Sequence, residues 1–217
     1  MVTALQGVGT FVDTDTVFAM LEGEREIDGP YSHLSFDDGF KNILENAAPV
    51  LHELGVPAIA FVPSAMLGAD YATIRNYCLE TTKYPAVIEM LGPDDLGRLS
   101  ELGVEIGSHT RTHARFSELS SPESREEEIA GSKRELEART GVECKYIAWP
   151  FGRLEDVDEV SLKATRDAGY RACFGAVRGS VVPGKTDLFA IPRHQVEAGW
   201  PVSHALYFSR GKMEMSV

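Results

Sequence analysis

The chain has 217 residues, of which 43% are hydrophobic and 25% charged, as is usual for one globular domain of ordinary size. Its 33 acidic residues outnumber its 21 basic ones, and the formal charge of −12 argues against a protein that binds nucleic acid or anionic membranes. The sequence contains no leader-like segment and no apolar run of membrane-spanning length, so we expect no membrane insertion and a cytoplasmic location. A secreted protein that has lost its leader would show the same pattern.

The positions of the cysteines argue against two kinds of site. None of the three lies in a Cys-x-x-Cys pair, which argues against a zinc ribbon or a thioredoxin-type site. They are expected to be reduced, partly buried thiols; they are Cys78, Cys144 and Cys173.

Residues 1–30 are predicted to form an N-terminal segment, and residues 31–217 the main domain. A short helix is expected to begin at Thr14 or Asp15 and to end before Gly23. The first strand of the main domain is predicted over residues 31–37.

Helices and strands then alternate to the end of the chain. Helices are predicted over residues 40–54 (divided at Pro49), 93–102, 121–140 and 157–168, and strands over 57–63, 104–107, 145–148, 170–176 and 188–196. Residues 64–91 are expected to be irregular and to form a covering loop or part of a substrate groove. The glutamates of residues 123–128 are expected to form a solvated helix face. The alternation predicts one α/β domain with a parallel sheet or barrel, whose functional groups gather at the carboxyl ends of the strands.

Two adjacent carboxylates, Asp37 and Asp38, stand at the end of the first predicted strand. Like charges side by side repel each other, and a bound metal would resolve the conflict if one aspartate held it and the other acted as a base. The alternative is an ordinary acidic turn, because Asp-Asp-Gly is common in turns.

His109 and His113 follow a later strand and are four residues apart. At that separation both imidazoles can point to one place, and with an aspartate they make a two-histidine, one-carboxylate metal site with open coordination positions. By itself the histidine pair is also compatible with a solvated loop. Both motifs at strand ends of an alternating α/β chain favour the metal site.

Three segments together resemble the first three motifs of the polysaccharide deacetylase (NodB-homology) family, the fourth carbohydrate-esterase family. They are Phe36-Asp37-Asp38-Gly39, Ser108-His109 with His113, and Trp149-Pro150-Phe151-Gly152, and the resemblance extends from about Ser35 to Val196. It implies a distorted (β/α) barrel and a divalent metal, most often Zn²⁺ and sometimes Co²⁺, Ni²⁺ or another, held by Asp38, His109 and His113. It also implies that Asp37 is the catalytic base and that an N-acetylated carbohydrate is the substrate.

The resemblance assigns further roles. Pro150, Phe151 and Gly152 would form the loop whose backbone N–H, at Phe151, holds the oxyanion. His194, on the last predicted strand, is the candidate general acid; the alternative is a partly buried histidine with a structural role.

The chain departs from the family pattern at two points. Ala148 stands where the third motif commonly has an arginine that orients the base, and Arg193 is our hypothesis for its replacement. The family's fourth motif, an aspartate near a tryptophan, has no clear counterpart, and Asp187 matches it poorly.

The sequence therefore favours a metal-dependent hydrolase that removes N-acetyl, less often O-acetyl, groups from a polymeric, oligomeric, lipid-linked or nucleotide-linked saccharide. A related amidase acting on a non-sugar substrate is one alternative. A catalytically inactive binding or scaffold protein on the same fold is another. The oligomeric state is left open, a dimer included.

Overall fold

A curled sheet of five parallel strands forms the centre of the structure, a computed structural model that describes residues 1–211. In chain order the strands are β1 (Thr10–Phe11), β2 (Tyr31–Ser32), β3 (Ser35–Phe36), β4 (Ala58–Val62), β5 (Val104–Ser108), β6 (Tyr146–Ala148) and β7 (Ala172–Phe174). The large sheet has the order β3-β4-β5-β6-β7, and β1 pairs with β2 in a separate parallel sheet. The predicted α/β fold, a distorted barrel with parallel strands, is confirmed as a curled half-barrel with surrounding helices.

Helices cover the sheet and connect its strands. The α-helices are α1 (Val2–Gln6), α2 (Thr14–Leu21), α3 (Ala48–Glu53), α4 (Tyr71–Asn76), α5 (Asp95–Glu101), α6 (Pro122–Arg125), α7 (Ser132–Thr140), α8 (Glu159–Asp167) and α9 (Val202–Phe208). Single π-helical turns occupy Ile43–Ala47, Tyr77–Thr81 and Glu126–Gly131, and 3₁₀ turns occupy Ser64–Met66, Phe116–Glu118 and Leu154–Asp156. Within residues 1–211, no helix combines the length and the apolar character that crossing a bilayer requires.

Several predicted helix boundaries are confirmed. Pro49 lies in the first turn of α3 and separates it from the π-helical turn before it. Ser121 caps α6, accepting a hydrogen bond from the N–H of Ser124 at 3.1 Å, and Gly141 ends α7 in a left-handed conformation (φ 67°).

Three predictions of secondary structure are wrong. The strand predicted over residues 31–37 is divided into β2 and β3, which pair with different partners. Residues 64–91 are irregular only in part, because they contain α4, whose first turn is capped by the side chain of Asp70. The strand predicted over residues 188–196 is reduced to one bridge between Ile191 and Phe174, because the N–H of Arg193 donates to the carbonyl of Val177 and not to that of Gly175, so the register of the ladder is lost after Ile191.

The sheet buries side chains on both faces, as parallel sheets do. Along β4, Ile59 and Phe61 belong to one core cluster, whereas the alternating residues Ala58, Ala60 and Val62 belong to the other. The first cluster also takes in Phe18 of α2, so the N-terminal segment contributes to the core. This packing fixes the carboxyl ends of β3, β5 and β6, from which the three motif loops emerge.

Candidate active site

The first motif loop follows β3 and carries the two adjacent carboxylates. Its backbone is left-handed at Asp38 (φ 73°) and at Gly39 (φ 69°), so the chain turns sharply there. A Cβ atom on Gly39 would lie 2.9 Å from Cγ1 of Val62, and this close approach favours glycine. The turn sends the two carboxylates to different partners, since Asp38 faces two histidines and Asp37 faces an arginine.

The second motif loop, the histidine loop (residues 109–113), follows β5. Its two imidazoles are buried, with 3% of the His109 side chain and 4% of the His113 side chain exposed. Nδ1 of His109 lies 2.8 Å from the carbonyl oxygen of Ala148, and because a carbonyl only accepts, Nδ1 carries the hydrogen and Nε2 keeps its lone pair. Thr110 (φ 62°) and His113 (φ 68°) have left-handed backbones, which neighbouring contacts must hold in place.

Three side chains from these loops meet at one point. Oδ1 of Asp38 lies 3.1 Å from Nε2 of His113 and 3.7 Å from Nε2 of His109. Donor atoms from the three residues all lie within 4.8 Å of one another, as a metal site requires. Two imidazole nitrogens and one carboxylate oxygen suit Zn²⁺ and similar divalent ions, and they leave coordination positions for water and substrate.

Asp37 stands beside this cluster and is held by Arg193. The guanidinium makes two parallel hydrogen bonds to the carboxylate, from Nη1 to Oδ1 at 2.8 Å and from Nη2 to Oδ2 at 2.9 Å. Nη1 also donates to Oγ of Ser35 at 2.9 Å, and Nε donates to the carbonyl of Gly175 at 2.5 Å. Arg193 thus supplies the cation beside Asp37 that Ala148, at the position of the family's usual arginine, cannot supply. It does so from an extended segment and not from a strand.

These contacts set the charges of the site. Burial by itself would raise the pKa of Asp37, but the positive charge of Arg193, and that of His109 once acid has protonated it, hold that pKa below its usual value. Burial also opposes the ionisation of Asp38, yet hydrogen bonding to His113 and the charge that His109 carries in acid lower the pKa of Asp38 to about 2. Burial lowers the pKa of His109 and favours the neutral imidazole. Near neutral pH the site holds two carboxylates beside an imidazole in the form that binds metals.

The third motif loop follows β6 and contains Pro150, Phe151 and Gly152. Phe151 has a left-handed backbone (φ 64°), and its ring centroid lies 4.8 Å from that of His113. Gly152 is also left-handed (φ 74°), and a Cβ atom there would lie 2.4 Å from Cβ of Ala176. The loop is therefore tightly held beside the histidines. Its role in binding an oxyanion stays a prediction.

His194 packs against the C-terminal helix. Its ring stacks on that of Phe208 in α9, with 6.3 Å between the ring centroids. Its role as the general acid stays a prediction.

Glu128 is a residue of the site that the sequence interpretation placed wrongly. It is buried, with 8% of its surface exposed, and is not part of a solvated helix face. Its carboxylate accepts hydrogen bonds from the backbone N–H groups of Arg111 and Thr112, at 3.1 and 2.8 Å, and from the Thr112 hydroxyl at 2.7 Å. It thereby holds the histidine loop. The spacing of Glu128 and of the buried Ser132 and Leu136, four residues apart, is the signal that would have placed it on the inner face.

Glu128→Ala is expected to lower the free energy of unfolding by about 1–2 kcal/mol, because three partly buried donors lose their acceptor. Glu126→Ala is the matched control, since Glu126 is exposed and pairs with the exposed Arg134. Urea unfolding of both variants measures the difference. Equal losses of stability would contradict the role given to Glu128.

Two tyrosines were also missed as part of the site. The hydroxyls of Tyr77 and Tyr84 both contact the carboxylate of Asp38. They come from residues 64–91, more than thirty positions further along the chain, and no local pattern connects them with Asp38.

Comparison with known proteins identifies the family of the chain. The family profile for polysaccharide deacetylase matches residues 25–173. The chain is 25% identical over 138 residues to YxkH of Bacillus subtilis (strain 168), which is named as a candidate polysaccharide deacetylase. That match covers 64% of this chain and 42% of YxkH, so the chain spans less than half of the relative's length.

Solved structures show the same fold. IcaB from Ammonifex degensii superposes with a TM-score of 0.76 at 20% identity, over 96% of this chain and 86% of that one. The Streptococcus pyogenes deacetylase PplD, solved in complex with acetate, superposes with a TM-score of 0.73 at 18% identity, over 94% and 81% of the two chains. The family profile and the fold thus confirm the resemblance that three short motifs first indicated. The chain belongs to the polysaccharide deacetylase family.

Proposed function

We propose that this protein is a metal-dependent hydrolase that removes N-acetyl groups from a saccharide. The observation that carries the proposal is that the two adjacent aspartates have different partners. Asp38 joins His109 and His113 in a donor cluster, whereas Asp37 stays outside that cluster and is paired with Arg193. A base next to a metal site is the arrangement that metal-assisted hydrolysis requires.

Asp38, His109 and His113 are the residues that would hold the metal. A bound divalent ion, most simply Zn²⁺, with Co²⁺ or Ni²⁺ as alternatives, would supply Lewis acidity and lower the pKa of a water molecule. The neutral His109 ring, with Nδ1 bonded to a carbonyl, presents Nε2 to that ion.

Asp37 is proposed to take the proton from the attacking water. Its side chain is 34% exposed, against 16% for Asp38, so a water molecule can reach it. The water oxygen forms a bond to the acetyl carbon, and the backbone N–H of Phe151 is proposed to donate to the oxyanion. The C–N bond then breaks, and His194 is proposed to give the leaving amine its proton, so that acetate and a free amino sugar result.

A cavity beside the site supports a saccharide as the substrate. It has a volume of about 570 Å³ and adjoins the site through Tyr77 and Thr112. Its lining side chains are neutral; they are Met66, Ala72, Thr73, Asn76, Tyr77, Thr81 and Thr112. Hydroxyl and amide groups next to small apolar surfaces suit the hydroxyls and ring faces of a neutral sugar.

Acetate release from a panel of N-acetylated oligosaccharides tests the proposal. We expect release from at least one member, loss of activity after treatment with a chelator, and recovery when Zn²⁺ or Co²⁺ is added. A protein that binds metal and releases nothing from any sugar, but hydrolyses cyclic ureides or formamides, would be a non-sugar amidase instead. A protein without metal and without activity would be a binding protein on this fold.

A further inference from the structure

The segment of residues 64–91 connects the two loops that carry the candidate metal ligands. Near its start, the N–H of Ala65 donates to the carbonyl of Arg111 in the histidine loop at 2.9 Å. At its end, the N–H of Leu91 donates to the carbonyl of Gly39, the residue after Asp38, at 3.0 Å. The position of this segment is therefore linked to both ligand loops.

Two tyrosines of the segment bind the two oxygens of one carboxylate. The hydroxyl of Tyr77 lies 3.2 Å from Oδ1 of Asp38, and that of Tyr84 lies 3.1 Å from Oδ2. Oδ1 is also the oxygen that faces Nε2 of both histidines. With Oδ2 bonded to Tyr84, the carboxylate presents Oδ1 to the point where the three donors meet.

A local turn brings the two hydroxyls together. The π-helical turn Tyr77–Thr81 is followed by Lys83 in a left-handed conformation (φ 58°). The N–H of Tyr84 then donates back to the carbonyl of Cys78 at 2.8 Å, as in a helix C-terminal motif. The chain thus reverses, and Tyr84 returns to the side on which Tyr77 lies.

Packing fixes both rings independently of their hydroxyls. Tyr84 stands edge-on to the buried ring of Phe40 at 4.9 Å between centroids, and Tyr77 lies 6.2 Å from the same ring. Tyr77 is also edge-on to His113 at 5.6 Å. A phenylalanine at either position would retain these contacts and lose only the hydrogen bonds of the hydroxyl, which at Tyr77 include a contact of 3.4 Å with the backbone carbonyl of Asp38.

We propose that Tyr77 and Tyr84 are positioning residues that hold the Asp38 carboxylate in its ligand orientation and so raise the affinity of the site for a divalent metal. The inference rests on the metal site of the proposed function. A carboxylate with both oxygens bonded in advance loses less rotational freedom when a metal binds, and outer partners of metal ligands typically contribute 10–100-fold in affinity.

The test is metal affinity, measured on metal-free protein by competition between the protein and a chromophoric chelator for Zn²⁺ or Co²⁺. The variants are Tyr77→Phe, Tyr84→Phe and the double variant. Tyr146→Phe is the matched control, because it removes a hydroxyl that donates to Oδ1 of Asp15, at 3.1 Å, outside the donor cluster. Thermal unfolding of each metal-free variant shows that the fold is retained.

We expect each single change to raise the Kd about 10-fold and the double change to raise it further, with Tyr146→Phe at the wild-type value. A wild-type Kd in the double variant would overturn the inference, as would an equal increase in Tyr146→Phe. If the wild type binds metal and releases acetate while the double variant binds equally well, this inference alone fails. If the wild type binds neither Zn²⁺ nor Co²⁺, the proposed function fails together with it.

Discussion

Asp37→Asn is expected to reduce acetate release by about 10³-fold while the metal content stays at the wild-type level. The amide is nearly isosteric with the carboxylate but has no basic oxygen that can take a proton from water, and loss of a general base typically costs 10²–10⁴-fold. Metal content should be unchanged because Asp37 is not among the three clustered donors.

The measurement combines elemental analysis of the purified variant with initial rates of acetate release. Asp167→Asn is the matched control, since Asp167 is an exposed carboxylate that pairs with Lys163 at the surface. A variant that loses its metal would instead place Asp37 among the ligands. A variant that retains full activity would remove Asp37 from the mechanism.

Arg193→Ala is expected to lower kcat by about 10²-fold, again without loss of metal. The guanidinium holds both oxygens of Asp37 at 2.8 and 2.9 Å, and a displacement of a catalytic group by about 1 Å is enough for a loss of this size. Arg193→Lys should recover only part of the rate, because an ammonium group cannot reproduce two parallel hydrogen bonds.

The double variant shows whether Arg193 acts through Asp37. In an Asp37→Asn background, Arg193→Ala should cause little further loss, since residues that work as one unit are not additive. Arg153→Ala controls for removal of an arginine, because Arg153 is exposed and pairs with Glu155 at the surface. Independent, multiplying losses would show that Arg193 has a separate role.

The candidate site could be predicted from the sequence wherever its signals are local. Asp38, His109 and His113 follow strands that hydrophobic patterning identifies, and parallel strands place their carboxyl ends at one edge of a sheet. The alternation of helices and strands likewise predicted the α/β fold, because each element shows its own periodicity over a short window.

The tertiary structure alone decided which partners surround those ligands. The hydrogen bonds from Tyr77 and Tyr84 to Asp38 join residues 39 and 46 positions apart, and composition or periodicity carries no information about contacts at such separations. The pairing of Arg193 with Asp37 was a hypothesis drawn from the departure at Ala148, and the fold supplied its geometry. The strand predicted over residues 188–196 was wrong because its pattern indicates burial but does not show which carbonyl each N–H will reach, and the N–H of Arg193 bonds to Val177, out of register with the bridge at Ile191.

Glu128 could have been predicted from the sequence only in part. Its charge suggested a solvated face, whereas its four-residue spacing from Ser132 and Leu136 pointed inward, and burial was made favourable by three donors from the histidine loop. The sequence by itself thus determined the fold class of this protein and indicated its candidate metal-ligating residues, since both follow from short-range patterns. The fold decided how Asp37 and Asp38 are oriented, because their hydrogen-bond partners come from distant parts of the chain.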